Sequence, residues 1–326
     1  MPSPIALLTD FGLADPYVGQ MKGALLRHAP QALLVDLCHQ VLPYNILQAG
    51  FLLAASRAHF PQRTIFTAVV DPGVGTTRRI VLVEAFGQFF LAPDNGLLTQ
   101  LLLDAPDAVA RDVTPLEHHG GGATVTGRKG TSAGLAGPVG RVLAGSGRDV
   151  PAAGRNGRSV ALQECNDPDV GRTGASATFH GRDVFAPLAA RLANGEDPAA
   201  LGDPVDPGGL VRLPEARPVL AGDALTASVL HVDRFGNCLL NLEIRAWAER
   251  LAEVGGLRLR ASEGPAAVTP LRVAASYAQL ASGQVGLIAG SQGVLELALN
   301  QASAAAVLGL SPGGRVTIIL AGLLPQ

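Results

Sequence analysis

The fold is decided by the stretch IALLTDFG at residues 5–12, where a short apolar run stops at a polar turn. Downstream, Val18, Met21 and Leu25 share one helical stripe. The same alternation of apolar run and helical pattern predicts strands at residues 5–8, 33–37, 64–70, 80–84 and 88–91, and helices at 17–28, 45–59, 97–103 and 183–193. We therefore expect an α/β N-terminal domain with a largely parallel sheet, whose ligands bind at the carboxyl ends of the strands.

The chain beyond residue 202 differs in composition and pattern. Residues 203–218 are rich in proline, glycine and aspartate, which predicts a linker. Short strands are predicted after it at residues 224–232, 238–242, 257–259, 285–288, 295–299 and 315–320. We therefore expect residues 1–202 to form the α/β domain and residues 219–326 to form a smaller, mostly β domain of barrel or sandwich type.

One segment of the α/β domain, residues 118–158, breaks the pattern because glycine is dense and aromatic residues are missing. Such a segment cannot bury enough apolar area to offset the entropy that ordering costs, so we predict a flexible insertion. A phosphate-binding loop at residues 127–132 is the alternative, but its glycine, lysine and hydroxyl residues stand in the wrong order.

The charge balance limits the classes of partner. The 326 residues contain 25 Lys and Arg and 27 Asp and Glu, a net charge of −2, which argues against nucleic acid or an anionic membrane as the main partner. The cysteines form no Cys-x-x-Cys pair, so we expect no structural zinc site or disulfide framework. No apolar run is long enough to cross a membrane, and no basic signal region precedes the first strand. We therefore expect a cytoplasmic protein without a metal site.

Two polar clusters lie where strands of the predicted sheet end. Asp10 and Asp15 flank a strand-to-helix turn, where a carboxylate can accept both hydroxyls of a ribose. The alternative is that one of them only caps the next helix. Asp71 ends a buried run, and Arg78 follows within reach of a bidentate pair with that carboxylate. A structural salt bridge is the alternative for this pair.

Two further clusters lie later in the chain. His180 stands just before a predicted helix with Asp183 near its first turn. A lone histidine is most often structural or at the surface, but these neighbours favour a functional site here more than is usual. A later strand ends in Asp233, Phe235 and Asn237, which offer an acceptor, a stacking face and an amide. That set suits an adenine or an amino-acid ammonium group, and a plain β-turn is the alternative.

Six motifs, in chain order, together resemble the S-adenosyl-L-methionine hydroxide adenosyltransferases, a family related to the fluorinase and the chlorinase. The motifs are LLTDFG at 7–12, YVGQMKG at 17–23, DPGVGT at 71–76, APDNG at 92–96, TFHGRD at 178–183 and DRFGN at 233–237. The resemblance implies hydrolysis of S-adenosyl-L-methionine to adenosine and L-methionine without a cofactor. It also implies an α/β catalytic domain, a C-terminal β domain and a homotrimer with sites between subunits.

The resemblance assigns roles to residues at matching positions. It implies that Asp71, Arg78 and His180 form the catalytic set that handles the attacking water. The residues implied to bind the substrate are Asp10 at the ribose, Asp15, Asp233 and Ser291 at the methionine end, Phe235 and Asn237 at the adenine, Tyr44 as an aromatic wall, and Phe179 within its motif.

The implied reaction is chemically consistent with these residues. A sulfonium leaves as a neutral thioether and needs no general acid, so the site must mainly hold an oxygen nucleophile in line with the ribose 5′ carbon. We expect Arg78 and His180 to favour the hydroxide character of this water, Asp71 to fix the guanidinium, and a neutral His180 to receive the proton. Two alternatives stay open, a halide-using enzyme of the same fold and a protein that binds S-adenosyl-L-methionine or adenosine without catalysis.

Overall fold

The computed structural model describes residues 3–115, 176–261 and 268–320. The predicted insertion at residues 118–158 lies outside these described residues. Within them, no helix has both the length and the apolar character that a membrane crossing needs.

Within the described chain, the N-terminal domain is built on a seven-stranded sheet. Its strands are β1 (Ile5–Thr9), β2 (Leu34–Cys38), β3 (Ile65–Val69), β4 (Ile80–Ala85), β5 (Gln88–Pro93), β6 (Val109–Asp112) and β7 (Asp203–Val205), in the spatial order β2-β1-β3-β5-β4-β6-β7. Strands β2, β1, β3 and β5 are parallel neighbours, whereas β4, β6 and β7 pair in the antiparallel sense. The prediction of an α/β domain with a parallel-rich sheet is confirmed.

Helices cover both faces of this sheet because successive apolar side chains of its strands point to opposite faces. The helices are α1 (Tyr17–His28), α2 (Ile46–Ser56), α3 (Thr99–Leu103) and α4 (Ala186–Ala193). In β1, Ile5 and Leu7 pack with α1 and α4, whereas Ala6 and Leu8 pack with α2 and α3. All five residues of β1 are buried, as expected for a strand covered on both sides.

The segment predicted as a linker begins inside the first domain. Its residues Asp203–Val205 form β7, which pairs with β6 at the edge of the sheet. The chain then stays against this domain, since the Val211 amide donates to Asp94 Oδ1 at 2.9 Å and the Leu213 amide donates to Thr99 Oγ1 at 3.0 Å. The limits of the two domains stay a prediction.

The C-terminal domain is a closed barrel of seven strands among the described residues. Its elements are β8 (Val219–Ala221), β9 (Ala224–Val232), β10 (Cys238–Glu243), α5 (Ile244–Ala252), β11 (Leu257–Ala261), β12 (Val268–Ala274), β13 (Gly286–Ala289), β14 (Val294–Ala298), α6 (Ala304–Leu308) and β15 (Arg315–Leu320). The order β10-β14-β13-β12-β11-β15-β9 closes on itself because β9 also pairs with β10, and β8 extends beside β9. Of the two predicted forms of this domain, the structure has the barrel.

The two domains meet along α2. Leu47 and Phe51 of this helix pack against Leu230 of β9 and Leu239 of β10. Burial of each of the side chains of Phe51, Leu230 and Leu239 contributes roughly 1.5–3 kcal/mol to the stability of the fold, relative to leaving that side chain exposed. Helix α2 is therefore the element through which sheet and barrel hold each other in place.

Gly50 shows how closely α2 packs on the sheet domain. A Cβ added at Gly50 would lie 2.4 Å from the carbonyl oxygen of Leu97. Gly50→Ala should therefore lower the free energy of unfolding by about 1–3 kcal/mol. Gly23→Ala in α1 is the matched control, because its added Cβ meets nothing within 4 Å and should stabilise the protein by about 0.5–1 kcal/mol. Urea unfolding measures both changes, and shifts of the same sign would contradict this packing.

Candidate active site

A cavity of about 340 Å³ opens at the carboxyl ends of β1 and β3. Its walls include Asp10 after β1, Asp71 after β3 and His180 before α4. Parallel neighbouring strands end at the same edge of a sheet, so the turns that follow them lie side by side. A second hollow, of about 400 Å³, lies beside Leu213 and Gly313 and contains none of these three residues, so we place the site in the first. Among the described residues, no cluster of three or more His, Cys, Asp or Glu is placed to hold a metal ion.

Arg78 joins two residues of the cavity wall, Asp71 and His180. Its Nε donates to the two carboxylate oxygens of Asp71 at 2.9 and 2.8 Å, and its Nη2 donates to Asp71 Oδ2 as well. The same Nη2 contacts Nδ1 of His180 at 3.0 Å, although the two residues are 102 positions apart. The structure thus brings the three predicted catalytic side chains into one hydrogen-bonded network.

The contact with Arg78 fixes the hydrogen positions on His180. A guanidinium nitrogen only donates, so Nδ1 of His180 accepts and the proton of the neutral ring is on Nε2. The Asp71 and Arg78 side chains are 4% and 11% exposed, so bulk water competes little for these contacts. The network is therefore a buried ion pair with a neutral imidazole attached to it.

A glycine lets the loop between Asp71 and Arg78 approach the segment before His180. Gly75 has a φ of +80°, and a Cβ added there would lie 2.6 Å from the carbonyl oxygen of Ala177. A side chain at this position would strain the backbone and push the two segments apart. The glycine therefore helps to set the distance between Arg78 and His180.

Asp10 is held in the cavity wall by a backbone group. Its Oδ2 accepts a hydrogen bond from the Tyr44 amide at 2.9 Å. Burial raises the pKa of Asp10 and the negative charge of Asp71 adds to this, while the Tyr44 N–H opposes both. Because Arg78 balances the charge of Asp71, an ionised Asp10 gives the cavity its negative character.

Aromatic side chains supply the apolar part of the cavity wall. Phe11, Tyr17 and Phe179 meet edge to face, with ring centroids 5.3–6.2 Å apart. Tyr44 also lines the cavity and has a φ of +66°, in the left-handed region. Sequence reasoning named Tyr44 and Phe179 but gave no role to Phe11 or Tyr17, although both stand in the quoted motifs.

The other predicted substrate-binding residues are not among those that line this cavity. Asp233 Oδ1 accepts from the amides of Phe235 and Asn237, and its Oδ2 accepts from Asn237 Nδ2, all at 2.9 Å. Phe235 is 78% exposed, and Ser291 and Asp15 also lie in exposed turns. The described residues that line the cavity include none from the barrel. In a single chain, the barrel residues therefore form a separate group.

The sequence analysis did not identify a buried carboxylate near Ser291. Glu296 in β14 is 5% exposed, and the hydroxyl of Tyr277 donates to its Oε1. Burial raises the pKa of Glu296, and the hydrogen bond to Glu296 raises the pKa of Tyr277 to about 12. A Cβ added at Gly290 would lie 2.7 Å from Glu296 Oε2, so this carboxylate lies against the turn that carries Ser291. The sequence feature that could have indicated this carboxylate is a single acidic residue inside an otherwise apolar strand.

Comparison with known proteins matches both domains to one family. The model of the SAM (S-adenosyl-L-methionine) hydroxide adenosyltransferase N-terminal domain matches residues 5–130 and 146–202. The model of the C-terminal domain of that family matches residues 227–317. The chain belongs to the SAM hydroxide adenosyltransferase family. The resemblance drawn from the six motifs is thereby confirmed.

Relatives of this protein match it over nearly the full chain. A Thermus thermophilus protein named (R)-S-adenosyl-L-methionine hydrolase is 35% identical, over 97% of this chain and 99% of its own length. A protein of the same name from Salinispora arenicola is 34% identical, over 96% and 97%. A fluorinase from Nocardia brasiliensis is 26% identical, over 96% of each chain.

Two solved structures resemble this protein over both domains. The crystal structure of an uncharacterized conserved protein from Thermotoga maritima has a TM-score of 0.71 and 27% identity, covering 97% of this chain and 99% of that one. The crystal structure of a conserved hypothetical protein from Thermus thermophilus has a TM-score of 0.63 and 29% identity, covering 97% and 100%. The two-domain fold is therefore common to these proteins.

The raised pKa of Asp10 predicts that its negative charge, which we assign to the site, lowers the stability of the fold. The folded protein binds a proton at Asp10 more tightly than the unfolded chain does, so this group destabilises the fold as the pH rises through the folded-state pKa. Asp10→Asn removes the charge, and its side-chain oxygen can still accept from the Tyr44 amide. The variant should therefore have a higher unfolding free energy than the wild type at neutral pH, and the difference should vanish as the pH falls towards 3.8. Thermal unfolding across the acidic range measures this, and a variant less stable than the wild type at neutral pH would contradict it.

Proposed function

We propose that this protein hydrolyses S-adenosyl-L-methionine to adenosine and L-methionine, by in-line attack of water on the ribose 5′ carbon. The observation that carries the proposal is the Asp71–Arg78–His180 network in the wall of a cavity large enough for a nucleoside. The relatives from Thermus and Salinispora, which are named for this activity, support it. The reaction as proposed needs no cofactor, and a cytoplasmic location stays a prediction.

The bond changes define what the site must supply. A lone pair of the water oxygen forms the bond to C5′, and the electron pair of the C5′–S bond leaves with sulfur as the neutral thioether of methionine. One proton is released from the attacking water. No group has to protonate the leaving sulfur, so the main requirement is to hold the water oxygen opposite it. Alignment of this kind can contribute roughly 7–11 kcal/mol.

Arg78 and His180 are the groups that we assign to the water. Asp71 fixes the guanidinium, which in turn occupies Nδ1 of His180, so the ring offers its Nε2–H as a donor. A donor and a nearby positive charge both stabilise hydroxide relative to water. We assign His180 a different role from the one expected from sequence, because its ring has no lone pair for a proton while Arg78 donates to Nδ1. In this proposal the proton passes to solvent.

The rest of the cavity suits a cationic nucleoside. Asp10 is assigned to the ribose hydroxyls, and its negative charge also favours a sulfonium over a neutral ligand. The rings of Phe11, Tyr17 and Phe179 keep bulk water from the reacting carbon. A cation and an oxygen nucleophile react faster when both are desolvated, so an apolar wall at this place serves the reaction.

We place the two ends of the substrate at the subunit interfaces of a homotrimer. Phe235 on the barrel is 78% exposed and Tyr44 at the cavity is 72% exposed, and contact between the barrel of one chain and the cavity of its neighbour would cover both rings. Such an arrangement explains why the predicted barrel residues lie away from the cavity of their own chain. It assigns Phe235 and Asn237 to the adenine, and Asp15, Asp233 and Ser291 to the methionine end.

A halide-using enzyme of the same fold is the nearest alternative, since a fluorinase is among the relatives. A halide ion needs a small, dry pocket with few competing donors. Arg78 and His180 instead place a charged donor and an imidazole at the position assigned to the nucleophile. The Asp71–Arg78–His180 network therefore favours water over a halide ion as the nucleophile.

Product analysis separates the alternatives. The protein is incubated with each sulfonium epimer of S-adenosyl-L-methionine, with and without chloride, and the products are separated by chromatography. We expect adenosine and methionine in equal amounts, unaffected by chloride. A 5′-chlorinated nucleoside would support the halide-using enzyme. Tight binding of the substrate without either product would support a non-catalytic binding protein.

Substitutions in the network test the assignment of the water site. His180→Ala removes one donor and should lower kcat by about 10²–10³-fold, the usual effect of losing a transition-state donor. Arg78→Lys should also lower kcat, because an ammonium cannot pair with both carboxylate oxygens and reach His180 at once. Arg79→Lys is the matched control, since Arg79 pairs with Asp94 outside the cavity wall. Full activity in His180→Ala, measured as methionine release, would remove His180 from the mechanism.

Mixed oligomers test whether sites lie between subunits. Asp71→Asn removes the partner of Arg78, and Asp233→Asn alters the barrel group while leaving an oxygen for its two backbone N–H partners. Each variant alone should be nearly inactive. Coexpression at equal amounts should restore about a quarter of the wild-type sites, because some interfaces then combine an intact Asp71 with an intact Asp233 from the neighbour. No recovery, in assemblies shown by sedimentation to be trimers, would place each complete site within one chain.

A further inference from the structure

The side chain of Gln48 connects three parts of the molecule. Gln48 lies in α2 and is 3% exposed. Its Oε1 accepts a hydrogen bond from the Leu42 amide at 2.9 Å, and its Nε2 contacts Nδ1 of His231 in β9 at 2.8 Å. One buried amide thus joins helix α2, the loop before it and the barrel.

The orientation of this amide follows from its partners. A backbone N–H only donates, so the atom facing Leu42 must be the oxygen and the atom facing His231 must be the nitrogen. His231 Nδ1 therefore accepts, and its ring is neutral with the proton on Nε2. Burial lowers the pKa of His231, against the opposing charge of Asp233, which is consistent with a neutral ring.

The loop fixed by Gln48 carries a wall of the cavity. Tyr44 lies in this loop, and its amide donates to Asp10 Oδ2 at 2.9 Å. The left-handed φ of Tyr44, +66°, is unfavourable for a residue with a side chain, so the loop keeps this shape only while its neighbours hold it. Gln48 holds one end through Leu42, and Asn45 Nδ2 adds a longer contact of 3.4 Å to the Pro312 carbonyl.

We propose that Gln48 is a positioning residue for the substrate, which sets the places of Tyr44 and Asp10 by tying their loop to the barrel through His231. The role as a substrate-positioning residue rests on the proposed function, whereas the effect on the loop does not. Gln48 itself does not line the cavity. Its loss should therefore weaken substrate binding and leave the Arg78–His180 network, and with it the chemical step, largely unchanged.

The chain offers a matched control for a purely structural effect. Gln88 at the start of β5 is 5% exposed, and its Nε2 donates to the carbonyls of Arg57, Phe60 and Pro61 at 3.0–3.2 Å. It lies at the amino end of its strand, whereas the cavity lies at the carboxyl ends of the parallel strands. Gln88→Met therefore removes buried amide contacts as Gln48→Met does, but its hydrogen-bond partners lie beyond the C-terminal end of α2 and not in the loop of Tyr44.

The experiment compares these variants as full-length proteins. For Gln48→Met, KM for S-adenosyl-L-methionine should rise about tenfold, while kcat stays within about threefold, as expected when one or two positioning hydrogen bonds are lost. Hydrogen exchange at the Leu42 and Tyr44 amides should become faster. Gln88→Met should lower the melting temperature similarly, with KM and these two amides unchanged.

A second pair of variants tests the barrel end of the connection. His231→Asn keeps an acceptor oxygen near the position of Nδ1 and should retain a KM close to that of the wild type. His231→Leu removes the acceptor and should reproduce the effect of Gln48→Met. This pair also decides the question if Gln48→Met does not fold.

Two results would overturn the proposal. One is a rise in KM for Gln88→Met equal to that for Gln48→Met, which would mean that loss of stability alone explains the effect. The other is unchanged exchange at the Leu42 and Tyr44 amides in Gln48→Met. If the wild type releases no methionine, the proposed function fails, and the amide exchange still decides whether Gln48 holds the loop.

Discussion

The arrangement of the site depends on one guanidinium, that of Arg78, which must contact Asp71 and His180 at the same time. Its bidentate pair with Asp71 fixes the plane of the group, so Nη2 can reach His180 Nδ1 in only one direction. Asp71 is placed by the end of β3, and Gly75 lets the intervening loop approach the segment that carries His180. Removing Arg78 would leave a carboxylate buried without its partner, which is costly in a protein interior. The Asp71–Arg78 ion pair therefore fixes the loops that carry these residues as well as the position of His180.

The central elements were predictable because their own residues define them. All of β1 is buried and its side chains alternate between two helical layers, and the predicted helix at residues 17–28 coincides with α1. Strands β6, β7, β8 and β12 were missed because pairing partners, rather than an apolar pattern, define them. The strand β12 has mostly exposed residues and contains Pro270, and the edge strand β7 contains Pro204. Sequence patterns therefore reveal strands with an apolar pattern better than strands that only their pairing partners define.

Some contacts of the site could be predicted from the sequence and others could not. The short separation of Asp71 and Arg78 already indicated a pair, whereas nothing in the spacing indicated that His180 would join it from 102 residues away. Its membership came from the family resemblance. The hydrogen positions on His180 follow only from the observed contact with Arg78. In the proposed trimer, the contribution of the barrel would depend on how the chains assemble, and a pattern within one chain carries no information about that.

The loop at Tyr44 shows how the site and the fold constrain each other. The amide that donates to Asp10 belongs to Tyr44, whose left-handed conformation costs of order 1–3 kcal/mol. Asp10 adds a second cost, since burial disfavours its charged form. Neither feature would persist on a mobile loop, so both require a rigid support. Helix α2 provides it by packing Phe51 against the barrel and by anchoring Gln48 between Leu42 and His231. The barrel thus stabilises the geometry of a cavity that it does not line within its own chain.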